Sequence, residues 1–231
     1  MLAVGDNQTG RTAGMRMERK PKRRTRELIL EASLRLFNDF GEPNVTTTVI
    51  ADELGISPGN LYYHFHNKDE IVEAIFADFE REIEATLAAP TRRAAEVEDV
   101  WLFLHLLFEH IWKYRFLYRD LNDLLTRNRT LEIHFKQILA HKVRTATLLC
   151  EGLVAAGGMR ATTGELQALS TNMAVIATYW LSFEYARDPR GGFEGERIGR
   201  GVHQVMALVA PFLLGESRLL LERLSGEYLR Q

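Results

Sequence analysis

A chain of 231 residues with 46% hydrophobic content can bury a sizeable core, as one large domain or as a small one joined to a larger one. A single cysteine, Cys150, excludes an internal disulfide framework and reads as a small core residue. No uncharged apolar run reaches the ~18 residues of a membrane span, and the N-terminal MLAVGDNQTGRTAG has no apolar signal core, so a cytoplasmic protein is expected.

The formal charge of −2 is unevenly spread. Eight basic groups against Asp6 and Glu18 give residues 1–26 a charge of +6 and leave −8 for the rest. Residues 1–23, ending at Arg23 with Arg24 next to it, therefore read as a disordered basic arm on an acidic body, suited to a phosphate backbone. The first helix is predicted from about Thr25 to Phe40, with Ile29, Ala32, Leu36 and Phe40 as its stripe and Gly41 as its stop. A loop, Glu42-Pro43-Asn44, leads to Val45 as a core anchor.

Residues 46–68, TTTVIADELGISPGNLYYHFHNK, read as a helix-turn-helix. Ile50, Ala51 and Leu54 share one side of a short helix, Gly55 supplies the permissive turn, and Ile56 returns to the core. Ser57-Pro58 is an N-cap and first-turn signature for a second helix, in which Leu61 and Phe65 point inward. Its outward residues, Pro58, Gly59, Asn60, Tyr62, Tyr63 and His64, include no acid, which suits a major groove walled by phosphates. Thr46 and Thr47 sit where a helix begins, so one caps it while the other, or the backbone N–H groups, meets a phosphate. Lys68 offers a point charge for phosphate; Tyr63, Asn60 and Gly59 are the candidates for base-edge contact. The plainer alternative is that the two tyrosines cover the edge of a small domain.

The run Thr46-Thr47, Ile50-Ala51, Leu54-Gly55-Ile56-Ser57, Leu61-Tyr62, His64-Phe65 and Asn67-Lys68, preceded by LILEASLRLFNDFG, resembles the DNA-binding domain of TetR/AcrR-type transcriptional regulators over roughly residues 24–85. Thr48 departs from the pattern, standing where many members carry an arginine that helps bind DNA. The resemblance implies that Tyr62 and His64 reach the DNA backbone. It also implies a C-terminal domain that binds a small effector, and dimerisation through the last long helices.

A longer helix follows, capped by Asn67 and striped by Ile71, Ile75, Phe79 and Ile83 to about residue 87, and the stretch 88–91 marks a boundary. Residues 24–70 would then be the helix-turn-helix domain and 92–231 a C-terminal domain. Helices are predicted over 100–116, 117–128, 130–156, 163–186, 196–214 and 216–230, with no convincing strand. The fold class is all-α: an N-terminal three-helix unit plus a larger C-terminal bundle for dimerisation and ligand binding.

Trp101, His105, Phe108 and Trp112 recur along one C-terminal helix and Met173, Ala177 and Trp180 along another. With His134 they are candidates to line a pocket for a partly apolar effector, against the commoner meaning of such stripes, plain core. Two recognition helices about 34 Å apart would read a palindromic operator, which requires a homodimer. Helices 163–186 and 196–214, with Ala174, Ala177, Gly201 and Ala207, are the candidate interface. Histidine spacing forms no metal pair, and there is no Gly-rich phosphate loop and no GxSxG, so neither metal, cofactor nor catalysis is expected. Two other readings stay open: an effector-independent dimeric DNA-binding protein, and a helical enzyme or carrier with a non-binding helix-turn-helix.

Overall fold

Short apolar stripes at helical spacing, each closed by a cap or a permissive residue, produce helices throughout. The computed structural model describes residues 21–88, 95–189 and 194–228. Among these, eleven α-helices and two short 3-10 turns follow one another without a strand. The arm at 1–20 and residues 89–91 of the expected boundary lie outside the described residues.

Helix α1 (Pro21–Phe40) starts four residues before the expected Thr25; proline suits a first turn, where its missing N–H has no acceptor to lose. Gly41, at φ 90°, turns the chain while its N–H donates to Phe37 O at 2.9 Å. Glu42–Asn44 form a 3-10 turn where a loop was expected. Then come α2 (Thr47–Glu53), α3 (Pro58–His64) and α4 (Lys68–Ala88). Ile29, Leu36, Phe37, Val45, Ile50, Ala51, Leu61, Phe65 and Ile71 are buried together among these four helices. α4 carries the same apolar cluster onward through Ile75, Phe79 and Ile83.

In the C-terminal region the continuous helix expected over 100–116 and the one over 117–128 are replaced by three: α5 (Val97–Lys113), α6 (Arg115–Arg119) and α7 (Leu121–Arg127). The chain leaves helical geometry at Tyr114 and again at Asp120. The cause lies in α1. Asn38 accepts the Phe116 N–H at 3.1 Å and donates to Lys113 O at 2.9 Å, so one buried amide satisfies groups the break sets free. The break in turn lets Phe116, Leu117 and Tyr118 all be buried.

α8 (Arg129–Ala155) is capped by Asn128 and α9 (Thr163–Arg187) by the Thr162/Glu165 capping box. α10 (Glu194–Val209) stops short of the expected Leu214, because Pro211 cannot continue a helix and Ala210–Phe212 tighten into a 3-10 turn; α11 (Gly215–Tyr228) follows. α9 lies between α8 and α10, α10 also packs on α5, and α4 packs on α8 and α5.

Candidate nucleic-acid interface and domain interior

Thr46 caps α2 by accepting the Val49 N–H at 3.3 Å, and Ser57 caps α3 by accepting the Asn60 N–H at 3.2 Å. Gly55, at φ 62°, makes the turn between them, and the Ile56 N–H returns to Ala51 O at 3.0 Å. The Thr47 and Tyr62 hydroxyls meet at 3.1 Å, a cross-brace that ties the start of α2 to the side of α3. Tyr62 is 47% exposed and Tyr63 64%, while Leu61 and Phe65 are buried beneath them. Tyr63 and His64 meet edge to face at 5.3 Å.

Thr46, Thr48, Ser57, Pro58, Gly59 and Asn60 are exposed, so these residues, Tyr62 and Tyr63 form one outward surface around the first turns of α2 and α3. Arg24 is exposed near the start of α1, and Arg26 covers the Phe65 ring at 4.8 Å. The side chain of Arg23 lies outside the described residues.

Lys68 departs from expectation. Its amine is 2.9 Å from the Glu42 carboxylate and also donates to Glu42 O at 2.9 Å. Glu42 is fully buried, and Arg127 of α7 closes on its other oxygen at 2.7 Å. The Glu42 N–H donates to Asp120 at 3.2 Å. Lys68 is therefore engaged by a buried acid that joins the helix-turn-helix to α7, a partner that its reading as a point charge for phosphate did not include. A second polar seam holds α1 to α6: Arg119 donates to Phe37 O at 2.7 Å, and Arg115 pairs with Asp39 at 2.9 Å. No spacing argument could find Glu42, whose partners lie 26 and 85 positions away.

The candidate pocket residues differ in their surroundings. Phe108, Met173, Ala177 and Trp180 are buried in the core. The rings of Phe108 and Trp180 press on Gly201 so closely that even a methyl group there would collide with both. Trp101 and Trp112 are partly buried; Trp101 stacks on His105 at 5.6 Å, and Arg115 covers Trp112 at 4.8 Å. His105 faces Glu109 at 3.3 Å, and His134, half-buried, meets Glu80 of α4 at 2.7 Å. One hollow, an open groove of about 420 Å³, lies over α4 and α8 beside Glu80, Glu84 and His141, and a small apolar one lies between Val97, Leu153 and Met206. Neither is lined by any of the eight candidates.

Lys142, which the sequence reading passed over, is buried on α8. Its amine donates to the Tyr118 and Thr178 hydroxyls, both at 3.2 Å, and burial holds it well below the usual lysine range, at about 7. Burial pushes the Cys150 thiol up to about 12, leaving it unreactive, 4.0 Å from the Met173 sulfur. Among the described residues no three His, Cys, Asp or Glu side chains gather as a metal site, and no helix is long and apolar enough to cross a membrane.

A helix-turn-helix whose second helix carries no acid, set on a larger helical body, defines the class: a regulator that meets DNA. Comparison with known proteins agrees. Residues 29–75 match the family described as bacterial regulatory proteins, tetR family, and residues 78–221 match the family described as bacterial transcriptional repressor, TetR. The chain belongs to the TetR family of transcriptional regulators.

It is 30% identical over 137 residues to the HTH-type transcriptional regulator TtgR of Pseudomonas putida, and 32% identical over 137 residues to the probable HTH-type transcriptional regulator ArpR of the same species. Each match covers 59% of this chain and 59% of the relative, so the chain spans about three fifths of their length. A crystal structure of a TetR-family transcriptional regulator from Marinobacter aquaeolei VT8 is 35% identical, with a TM-score of 0.80, covering 88% of this chain and 98% of that one.

Proposed function

We propose that the protein is a homodimeric repressor that holds a palindromic operator and releases it on binding a small, partly apolar effector. The observation that carries this reading is the outer surface of α3, where two exposed tyrosines stand beside Ser57, Gly59 and Asn60 and no residue of the helix is an acid. In the proposed complex the α2 N-terminus and the hydroxyls of Thr46, Thr47 and Thr48 meet phosphates, joined by Tyr62, His64, Ser57 and the basic residues Arg23 and Arg24. Gly59, Asn60 and Tyr63, with Pro58, face the base edges.

Support for the dimer comes from α9. Val175, Tyr179 and Phe183 recur every fourth residue on a face that the rest of the chain leaves exposed, although α9 is apolar on its inner face as well. This revises the interface expected from small residues: Ala174, Ala177 and Gly201 are buried inside the protomer, and only Ala207 faces out. In vitro selection from random duplex DNA tests the reading. An enriched inverted repeat is the expected result; no enrichment at low salt would overturn it.

A further inference from the structure

Lys142 stands in the middle of the C-terminal bundle without an acid. Tyr118 of α6 and Thr178 of α9 take two of the three hydrogens an ammonium offers, and among the described residues no carboxylate pairs with it. Its surroundings are otherwise aromatic, with the amine 4.7 Å from the centre of the Tyr118 ring and 5.9 Å from that of Phe135. An amine without an acid in such a place is disfavoured as a cation by its burial, and a methionine of similar length would fill the same space without that penalty. What the lysine provides and a methionine does not is an ammonium hydrogen to donate to an anion once the packing around it parts.

We infer that Lys142 is the anchor for an effector bearing a carboxylate, whose second oxygen accepts from the Tyr118 and Thr178 hydroxyls. The inference rests on the effector reading above and names the effector's chemical class. Seating the acid requires the Tyr118 face of α6 to move off α8. That displacement has a mechanical outlet, because α6 is only five residues long and three of its other side chains are fastened to α1. Arg119 holds the last carbonyls of α1, Arg115 holds Asp39, and the Phe116 ring packs on Phe37 at 5.3 Å. One short helix thus faces the amine with Tyr118 and grips the helix-turn-helix with its neighbours. The acid's differential affinity for the displaced arrangement supplies the coupling.

The test uses the full chain at pH 8 with benzoate, phenylacetate and salicylate, each beside its uncharged amide. Melting temperature, operator binding by fluorescence anisotropy and calorimetry in two buffers of different ionisation enthalpy are read together. At least one acid is expected to raise the melting temperature by several degrees and weaken operator binding tenfold or more. Its amide should do neither. Because the amine rests largely neutral at pH 8, binding of that acid should take up close to one proton. Lys142→Met should abolish the acid's effects, and Thr178→Val, a milder change, should weaken the acid several-fold.

Acids without effect, acids and amides acting alike, binding without proton uptake, or a Lys142→Met protein that still responds to the acid would each overturn the inference. Failure of the wild type to bind any operator would instead sink the repressor reading. The melting and proton measurements would still decide the anchor.

Discussion

Lys142 also makes a statement about stability. In the unfolded chain its amine ionises near the ordinary lysine value of about 10.4, whereas in the fold burial lowers it to about 7. Between those values the unfolded state binds more protons, so this residue's penalty is complete below pH 7 and fades as pH rises. The unfolding free energy of the wild type is expected to gain on that of Lys142→Met by about 1.4 kcal/mol per pH unit between pH 7.5 and 9.5. Denaturant titrations across that range check it, and parallel curves would contradict the buried amine. Tyr63 makes a second residue-scale case, being the most exposed aromatic of α3 while Tyr62 is braced by Thr47. Tyr63→Ala is expected to change the motif recovered by selection from random DNA and leave the melting temperature within a degree or two. An unchanged motif would mean that the ring only covers the domain edge. Both caps, Thr46 and Ser57, were legible in the sequence, because a cap acts on groups two or three residues away. Lys68 and Lys142 were not, because burial and long-range partners decide what an amine does.

Among elements, the legible ones were those with a local signal: α1 to α4, α8 and α9, each with an apolar stripe and a cap or glycine. The breaks at Tyr114 and Asp120 were hidden, since residues 100–128 read as helix on local grounds and the interruption is imposed by Asn38 from α1. The cluster around Glu42 governs how the helix-turn-helix is held. Lys68→Ala would leave buried Glu42 to Arg127 alone, at an expected cost of about 2 kcal/mol, discounted from the 3–5 of a broken buried pair because one partner remains. Denaturant melts measure that cost. The salt slope of operator binding separates the two roles for Lys68: a slope shallower by about one would return it to the phosphate backbone, and an unchanged slope accompanied by lost stability supports the interdomain role.

At the scale of the molecule, α9 offers Val175, Tyr179 and Phe183 to solvent in the isolated chain, with Phe183 56% exposed. Phe183→Lys is expected to leave the protomer folded, convert the proposed dimer to monomer in sedimentation, and reduce operator affinity by at least tenfold, since half of a two-fold contact set would be lost. A dimeric Phe183→Lys protein would move the interface elsewhere. Periodicity found the helix and missed which of its faces is free, because small and large apolar residues alternate around it and only packing tells them apart.

For the proposed dimer, that uncovered face makes abundance itself a control variable. Operator occupancy follows the concentration of paired chains, which at low copy number rises with the square of the total, so a twofold drop in synthesis thins the active species about fourfold by mass action. Chains left single present a greasy flank to chaperones and proteases. Dilution by cell growth would therefore lift repression more sharply than its effect on total protein implies, even where no effector is present.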